Sequence, residues 1–363
     1  MIAIGIMSGT SADGMDAAAI EIGAERPRPA MRLLAHVARD HPAALRYRIL
    51  AAGSGAPLPA HDLAVLHAEL GTAYASIARE LIGVVGGRPA CVAVHGQTIA
   101  HFPGEHATLQ IGDASRVAVE TGVPVVDDFR SADVALGGQG APLVPFADHL
   151  LFADGTARAI LNIGGIANVT LLPTSRAEDV MAFDTGPGNM IIDHLARKGG
   201  SELDRDGAAA ARGAVNETAL ATALAHPYFA RRGPKSTGRE DFGAPFAQQL
   251  LKDVKARGGS LDDAIATATA LTVESIARAL DGGGWAELII AGGGARNLTL
   301  VERLRVRTGL RIRLTDELGI PAEAREAMAF AILGAYRLLG EPNTLPGCTG
   351  ASRAVSAGAI HAP

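Results

Sequence analysis

The chain has 363 residues, of which 48% are hydrophobic and 20% are charged, and its formal net charge at pH 7 is −5. This length allows two domains with separate cores, and the composition excludes an intrinsically disordered chain. The negative charge gives no reason to expect nucleic acid or an anionic membrane as a partner, and no apolar run in the sequence approaches a membrane span. An anionic ligand would therefore need a local binding site.

The cysteine content and the first residues bear on the compartment. Cys91 and Cys348 are far apart in the chain and lack metal-ligand spacing. The N-terminal residues lack the basic flank of a signal peptide. We therefore expect a cytoplasmic protein whose cysteines stay reduced.

The first predicted element is an apolar strand that enters a turn of small, hydroxyl-bearing and acidic residues and continues as a second strand. Gly9 and Gly14 allow a tight turn and a close ligand approach, while Ser8, Thr10 and Ser11 place hydroxyls beside backbone N–H groups. Such a turn suits a phosphate chain, although an ordinary β-turn explains the same residues. It is not a P-loop, because no Gly-Lys-Ser/Thr sequence follows and the next element is a strand.

Further along the chain, short apolar strands alternate with helical patterns, which predicts an α/β architecture. The predicted strands cover residues 91–94, 123–126, 159–172 (with a turn) and 288–291. The predicted helices cover residues 61–85, 190–197, 261–280, 300–306 and 321 to about 339. Ser260 and Asp263 form a capping-box pattern before the third of these helices, and Pro321 suits a first helical turn.

Polar residues follow the strands at 91–94 and 123–126. His95 and Gln97 are placed to face a ligand at a carboxyl strand end. For His95, a strand-end histidine satisfied by its neighbours is the alternative to direct catalysis, and positioning a ligand lies between the two. Arg130 suits a carboxylate, which arginine binds with two parallel hydrogen bonds. A solvated surface arginine is the alternative interpretation.

Residues 159–172 repeat the opening pattern, with a Gly164–Gly165 turn between two apolar strands. Strand–glycine–strand units are common, so coincidence explains the repeat if it is taken alone. Two related halves of the chain are the other interpretation. The chain becomes polar and glycine-rich between residues 129 and 140, where we place the boundary.

Asp184 ends an apolar segment and precedes a Gly-Pro-Gly turn and the helix at 190–197. A carboxylate on a rigid strand end can serve as a general base. An N-capping aspartate is the structural alternative. Because Asn189 lies nearer to the helix start, we expect Asn189 to cap the helix and Asp184 to stay free.

Three glycines, residues 292–294, stand between the strand at 288–291 and the helix at 300–306. They allow a flat ligand to lie against the backbone, and the helix N-terminus favours an anion. Asn297 stands where a Gly-x-Gly-x-x-Gly fingerprint would need its third glycine, so this is not a Rossmann motif. A tight helix-entry turn is the alternative interpretation.

The first hairpin carries a string that resembles the opening signature of the anhydro-N-acetylmuramic acid kinases, bacterial enzymes of the actin/Hsp70/hexokinase superfamily. That string is Gly5-x-Met7-Ser8-Gly9-Thr10-Ser11-x-Asp13-Gly14-x-Asp16. Further family-like stretches follow in consistent order at 95–98, 110–113, 128–130, 137–145, 183–189, 291–297 and 342–353. The resemblance thus covers nearly the whole chain.

The resemblance implies a two-lobed α/β fold of the actin-like or hexokinase-like ATPase type, with duplicated domains around a central cleft. We expect residues 1–130 and 344–363 to form the N-terminal lobe and residues 131–343 the C-terminal lobe. Superfamily members commonly carry an aspartate just before each glycine turn that helps to hold the metal. Met7 and Asn162 occupy those places here, so the metal ligands stay unassigned.

The resemblance also implies ATP and Mg²⁺ as cofactors, a small-molecule anhydro amino sugar as substrate, and a homodimer. The residues expected to bind the cofactor are Gly9, Thr10, Ser11, Ala12, Asp13, Gly14, Met15, Asp16, Asn162, Gly164, Gly165, Gly293, Gly294 and Asn297. The residues expected to bind the sugar are His95, Gln97, Arg130 and Asp184. Asp184 is also the expected general base.

The implied reaction converts 1,6-anhydro-N-acetylmuramic acid to N-acetylmuramic acid 6-phosphate during cell-wall recycling. O6 of this sugar is bonded to C1 and carries no proton, so the base would activate a water that attacks C1 while O6 attacks the γ-phosphorus. A hexokinase-type kinase acting on a free hydroxyl is one alternative. A non-catalytic actin-like protein, which uses nucleotide to switch assembly, is another.

Overall fold

The computed structural model describes residues 1–25, 28–231, 233 and 235–363, and the chain divides into two units. Unit 1 comprises residues 1–152 and 319–363, and unit 2 comprises residues 153–318. Within the described ranges, no helix has both the length and the apolar character needed to cross a bilayer.

The first part of unit 1 alternates strands and helices. Its strands are β1 (Ile2–Met7), β2 (Gly14–Ile22), β3 (Met31–Asp40), β4 (Cys91–Val94), β5 (Gln97–Phe102), β6 (Ala107–Ile111) and β7 (Val125–Asp127). Its helices are α1 (Ala43–Ala52), α2 (Ala60–Val85), α3 (Ala114–Thr121), α4 (Ser131–Ala135) and α5 (Val144–Phe152).

Unit 2 follows with the same alternation. Its strands are β8 (Arg158–Ile163), β9 (Ile166–Leu172), β10 (Met181–Pro187), β11 (Glu287–Ala291) and β12 (Arg311–Leu314). Its helices are α6 (Met190–Lys198), α7 (Ala208–Arg212), α8 (Glu217–Leu224), α9 (Pro227–Ala230), α10 (Arg239–Phe242), α11 (Ala244–Lys255), α12 (Leu261–Leu280) and α13 (Leu298–Thr308).

The chain then returns to unit 1 with α14 (Arg325–Leu338), α15 (Pro346–Thr349) and β13 (Ala359–His361). Short 3₁₀ turns cover Pro103–Glu105, Ala177–Asp179, Arg205–Gly207, Gly293–Arg296 and Thr315–Leu318.

The two units share one sheet topology. In unit 1, β1, β2 and β3 are antiparallel neighbours, and β4 and β7 extend the sheet parallel to β1. In unit 2, β8, β9 and β10 are antiparallel neighbours, and β11 and β12 extend the sheet parallel to β8. The predicted α/β duplication is confirmed, because both halves place a glycine turn between the first two strands of the same strand order.

The helix predictions are confirmed where the apolar period is long. Helix α2 begins at Ala60 and ends at Val85, and α12 covers the predicted residues 261–280. The capping box is reciprocal: Asp263 N–H donates to Ser260 Oγ at 3.1 Å, and Ser260 N–H donates to Asp263 Oδ2 at 2.7 Å. The start of the last long helix was predicted wrongly. Helix α14 begins at Arg325, because residues 321–324 form a separate turn closed by Ala324 N–H on the Pro321 carbonyl.

The unit boundaries lie at 152/153 and 318/319, whereas the sequence placed the lobe boundaries at 130/131 and 343/344. Helix α14 packs on β1, β2 and β4, so it belongs to unit 1. A Cβ on Gly5 would lie 2.0 Å from the Ala327 carbonyl oxygen, which shows how closely α14 approaches β1. Helix α5 stays with α14 through a buried ion pair in which Arg325 Nε lies 3.1 Å from Asp148 Oδ1.

Candidate functional site

The turn between β1 and β2 is held in place by hydrogen bonds from buried side chains. Ser8 Oγ donates to Gln97 Oε1 at 2.7 Å, and Gln97 Nε2 donates to the Gly9 carbonyl at 3.1 Å. Nε2 of the buried His41 lies 3.2 Å from Ser8 Oγ. Gln97 is 1% exposed, so both ends of its amide hold the turn rather than face solvent.

The side chains of the first turn divide into buried and exposed sets. Ala12 and Met15 belong to the apolar core of unit 1, so only their backbone is available to a ligand. Thr10 and Ser11 are exposed, and Asp13 is exposed and paired with Arg46. Gly14 is needed for packing, because a Cβ there would lie 2.5 Å from the Arg39 carbonyl oxygen on β3.

The last acid of the signature, Asp16, lies on β2. Its Oδ1 is 3.2 Å from His36 Nε2 on the neighbouring strand β3. Gly9 differs from Gly14, because a Cβ on Gly9 would come no closer than 3.9 Å to its nearest neighbour, Ser11 Oγ. The backbone at Gly9 is therefore open to a ligand.

His95 and Arg130 form one hydrogen-bonded pair. Arg130 Nη2 donates to His95 Nε2 at 2.7 Å, and since arginine only donates, His95 Nε2 must be the unprotonated acceptor. His95 Nδ1–H then donates to the Ser8 carbonyl at 3.3 Å. Burial and the nearby Arg130 charge lower the pKa of His95 to about 3, which agrees with a neutral ring.

The remaining donors of Arg130 are only partly used. Nη1 donates to the Gly140 carbonyl at 2.6 Å, whereas the buried Nε has no partner among the described residues. Burial lowers the pKa of Arg130 to about 10, against the opposing effect of Glu326 and Asp133. Arg130 is thus a largely enclosed cation, which excludes the solvated surface arginine considered for it.

Glu326 is a neighbour of this pair that the sequence did not single out. It lies in the first turn of α14, and burial raises the pKa of its carboxyl. Arg325 and Arg130 oppose that effect, while Asp16 adds to it. No sequence signal separates Glu326 from Glu323 in the same segment; only the packing of α14 on β1 brings it to this site.

In unit 2, the turn between β8 and β9 is assembled with the segment after Asp184. Asn189 N–H donates to the Gly164 carbonyl at 2.8 Å, and the N–H groups of Gly188 and Met190 donate to the Gly165 carbonyl at 2.9 Å and 3.1 Å. A Cβ on Gly188 would lie 2.3 Å from the Gly164 carbonyl oxygen. The Gly-Pro-Gly turn therefore packs directly on the second glycine turn.

The glycine triplet packs against the other side of the same turn. A Cβ on Gly292 would lie 2.7 Å from Asn162 Oδ1, and one on Gly294 would lie 2.3 Å from Ile163 Cγ2. Gly293 is different, because a Cβ there would meet nothing within 4 Å. The structure thus brings the predicted motifs of unit 2 together and leaves open space at Gly293.

The helix caps differ from expectation at Asn189. Its side chain makes no cap hydrogen bond, and Nδ2 lies 3.5 Å from the Ile163 carbonyl, so the predicted capping role of Asn189 was wrong. Its backbone is already used to join Gly164. Asn297 is the N-cap of α13: its Oδ1 accepts from Leu300 N–H at 3.0 Å, and its side chain is buried.

Asp184 is not a helix cap either, because it lies within β10 beside a register shift in the pairing with β9. Its Oδ2 accepts from Thr237 N–H at 3.0 Å. Burial raises the pKa of Asp184 to about 6, the Thr237 N–H lowers it, and the Glu240 charge raises it. A half-buried carboxylate with a pKa near neutrality is suited to accept a proton.

Metal ligation can be tested against the donor groups present. Among the residues that the structure describes, no cluster of three or more His, Cys, Asp or Glu side chains could hold a metal ion. The protein side chains described here therefore do not by themselves form a metal centre.

The chain resembles proteins of one family over its full length. A family model described as anhydro-N-acetylmuramic acid kinase matches residues 1–363. The chain is 44% identical over 379 residues to an anhydro-N-acetylmuramic acid kinase from Gloeobacter violaceus, covering 99% of this chain and 98% of that protein. It is 41% identical over 385 residues to one from Salinibacter ruber, covering 99% and 96%.

Among solved structures, the chain is similar to the activator of 2-hydroxyisocaproyl-CoA dehydratase from Clostridium difficile, with a TM-score of 0.48 and 12% identity over 93% of this chain and 96% of that one. The full-length family match and the identity above 40% are the findings that assign a family. The chain belongs to the anhydro-N-acetylmuramic acid kinase family.

Proposed function

We propose that this kinase opens the 1,6-anhydro bridge of 1,6-anhydro-N-acetylmuramic acid and phosphorylates O6, giving N-acetylmuramic acid 6-phosphate and ADP in peptidoglycan recycling. The water oxygen bonds to C1 and the C1–O6 bond breaks. O6 bonds to the γ-phosphorus, and the bond between that phosphorus and the β–γ bridging oxygen breaks to release ADP. The proton lost by water passes to Asp184 and then to solvent.

The observation that carries the proposal is the state of Asp184. Its carboxylate is half-buried, and burial raises its pKa to about 6. At neutral pH such a group is mostly ionised, yet it is basic enough to take a proton from a water as that water attacks C1. An ordinary sugar kinase would direct the same base at a hydroxyl, so the fate of water distinguishes the two reactions.

We infer that ATP is bound chiefly by backbone groups. A Cβ on Gly293 would meet nothing within 4 Å, and a Cβ on Gly9 or Gly164 would make only ordinary contacts, at 3.9 Å and 3.6 Å. Glycine turns of this kind present N–H groups to phosphate oxygens without an intervening side chain. Thr10, Ser11, Asp13 and Gly165 belong to the same proposed set, whereas Ala12, Gly14, Met15, Asp16, Asn162, Gly294 and Asn297 would contribute backbone contacts or support.

We propose fewer direct contacts to the sugar than the sequence implied. Arg130 would bind the lactyl carboxylate through the guanidinium hydrogens that the Gly140 carbonyl and His95 leave free. His95 and Gln97 are buried and engaged with Arg130 and the first turn, so we assign them to positioning. Asp184 would contact the sugar through the attacking water.

Mg²⁺ belongs to the proposal as a companion of ATP, since it would neutralise charge on the transferred phosphoryl group. Its protein ligands stay unassigned: the described side chains form no cluster of three or more donors, and Mg²⁺ needs only one or two carboxylates beside the phosphates. A cytoplasmic location and a homodimer complete the proposal. The location rests on the cysteine usage and the homodimer on the family resemblance, and sedimentation velocity measures the dimer.

The test is ADP release from the purified protein with Mg-ATP and the anhydro sugar, compared with free N-acetylmuramic acid. The reaction is also run in ¹⁸O-labelled water to follow the C1 oxygen. We expect turnover on the anhydro sugar with label at C1. In Asp184→Asn we expect kcat to fall by ~10³-fold, in the range of a lost general base.

Each other outcome points to a different function. Equal ADP release with the free sugar would replace the proposal by a hexokinase-type kinase. ATP-dependent filament formation without sugar, followed by light scattering, would favour an assembly switch instead.

A further inference from the structure

Asp184 is held at three of its polar groups by residues that follow it in the chain. Tyr228 Oη donates to the Asp184 carbonyl at 2.5 Å, and Asp184 N–H donates to the Lys235 carbonyl at 2.9 Å. Thr237 N–H donates to Oδ2 at 3.0 Å. The main chain and one carboxylate oxygen of Asp184 are therefore both constrained.

Thr237 is itself anchored. Its Oγ1 donates to Asp241 Oδ2 at 2.7 Å, and Asp241 lies on α10 beside the fully buried Phe242. The Phe242 ring packs edge-on against Tyr228, with centroids 5.5 Å apart. The donors that reach Asp184 from Tyr228 and from Thr237 are thus tied to one aromatic cluster.

This arrangement leaves the second carboxylate oxygen available. Within the described part of the chain, Asp184 Oδ1 has no hydrogen-bond partner, whereas Oδ2 is occupied by Thr237. A carboxylate with one oxygen fixed and the other free presents the lone pairs of the free oxygen in defined directions. A general base needs that property, because a small misplacement of the base lowers the rate strongly.

We propose that Thr237, locked by the Asp241 carboxylate, is a positioning residue that orients the Asp184 carboxylate so that Oδ1 faces the attacking water. The inference rests on the proposed function, since it presupposes that Asp184 is the base. None of Tyr228, Lys235, Thr237 or Asp241 was singled out from the sequence.

The groups around Asp184 set its pKa, and this pKa reports the orientation of the carboxylate. Glu240 on α10 raises the pKa of Asp184, while the Thr237 N–H lowers it. The Tyr228 phenol is protonated, because burial raises its pKa, and the Lys235 ammonium lies 4.4 Å from the Tyr228 ring centroid. The Asp241 carboxylate accepts the hydrogen bond from the Thr237 hydroxyl. Loss of the hydrogen bond from Thr237 N–H to Asp184 Oδ2 should therefore raise the pKa of Asp184 further.

The experiment compares Thr237→Val with Thr237→Ser. Valine keeps the backbone N–H and nearly the same volume but removes the hydroxyl that anchors residue 237 to Asp241, whereas serine keeps that hydroxyl. Thr222→Val is the matched control, because Thr222 is exposed and its hydroxyl donates to Thr218 within α8. We expect Thr237→Val to lower kcat by ~10-fold with KM for the sugar little changed. We expect the acidic limb of kcat to move up by ~0.5 pH unit. Thr237→Ser should restore both.

Asp241→Ala removes the acceptor of the Thr237 hydroxyl, so it breaks the bond between Thr237 and Asp241. This variant replaces Thr237→Val if Thr237→Val fails to fold. The double variant should lose no more than either single variant, because both remove one bond. An unmoved acidic limb, or an unchanged kcat, in a folded variant would overturn the inference. A rise in KM with a constant limb would also overturn it, since that pattern indicates general loosening of the site.

A measurement without turnover separates this inference from the proposed function. The Asp184 carboxyl is titrated by ¹³C NMR in aspartate-labelled protein, with Asp184→Asn used to assign its signal. A higher titration midpoint in Thr237→Val than in the wild type supports the positioning role even if the wild type releases no ADP with the sugar. Equal midpoints would contradict it whatever the activity.

Discussion

The two glycine turns occupy the same place in duplicated sheets, yet they are held in different ways. The turn after β1 is held by side chains, with Ser8 and the buried Gln97 bonding beneath it. The turn after β8 is held by backbone, since the carbonyls of Gly164 and Gly165 accept N–H groups from residues 188–190. Equal topology therefore does not imply equal support.

The difference shows what each turn tolerates. A side-chain brace fails when its polar atoms are removed, but it leaves room for backbone adjustment. A backbone brace depends on contact distances that exclude any added Cβ, so it fails through overpacking. The first turn should therefore be sensitive to polar deletion beneath Gly9, where an added Cβ has room, and the second to a small-to-large change at Gly188.

The largest expected effect is in the second turn. Gly188→Ala would place a methyl group 2.3 Å from the Gly164 carbonyl oxygen, and neither backbone can move without breaking the bonds of the turn. We expect a loss of ~3 kcal/mol in the free energy of unfolding. Urea titration measures the loss. Gly293→Ala is the matched control, because its methyl group would meet nothing within 4 Å.

The two glycine variants also separate stability from ligand binding. Gly293→Ala should keep the wild-type unfolding free energy and still weaken ATP binding by calorimetry. Equal stability of Gly188→Ala and the wild type would show that the second turn is not held by backbone contact.

A smaller effect is expected in the first turn. Gln97→Leu keeps the volume but leaves the Gly9 carbonyl without its donor and removes one acceptor for Ser8. We expect a loss of ~2 kcal/mol in unfolding free energy and a raised KM for ATP. Thermal unfolding and initial rates measure the two.

Gln249→Leu serves as the control for this change, since Gln249 is exposed and, among the described residues, bonds only to Asp253 on the same helix. If both glutamine variants lost equal stability, the brace beneath the first turn would be of no energetic consequence.

The smallest effect is in pH dependence, where the two regions should have opposite signs. Asp184 has a folded pKa of about 6, above its unfolded value, so its contribution to stability falls as pH rises from about 4 through 6. His95 has a folded pKa of about 3, below its unfolded value, so its contribution falls as pH drops below about 6.5.

Calorimetry across pH measures these slopes. Asp184→Asn should be more stable than the wild type by about 1 to 2 kcal/mol near pH 8, with the difference gone near pH 4. His95→Gln should be less stable near pH 8, with the difference narrowing on acidification. A constant difference in either variant would show that its group does not titrate as described.

The sequence predicted the candidate residues that lie in local patterns, but not those that distant segments bring near them. Asp184, Arg130 and the glycine turns could be found from motifs, because each lies at a strand end or in a strand–turn–strand pattern that is local in sequence. Thr237, which contacts Asp184 in unit 2, and Glu326, which lies near Arg130 in unit 1, could not be found in this way, because their segments carry no distinguishing pattern. The expectation for Asn189 failed for a related reason: its proximity to the helix start did not reveal that its backbone is committed to Gly164.

The sequence by itself determined the alternation of strands and helices, the two glycine turns, the capping box at Ser260 and the family. These features depend on local periodicity and on short motifs, which a single segment carries within itself. Only the tertiary structure decided that α14 belongs to unit 1, that Gln97 lies beneath the first turn, and that Thr237 holds Asp184. Those outcomes depend on which distant segments fill the space beside a strand, and packing of that kind is a property of the whole chain.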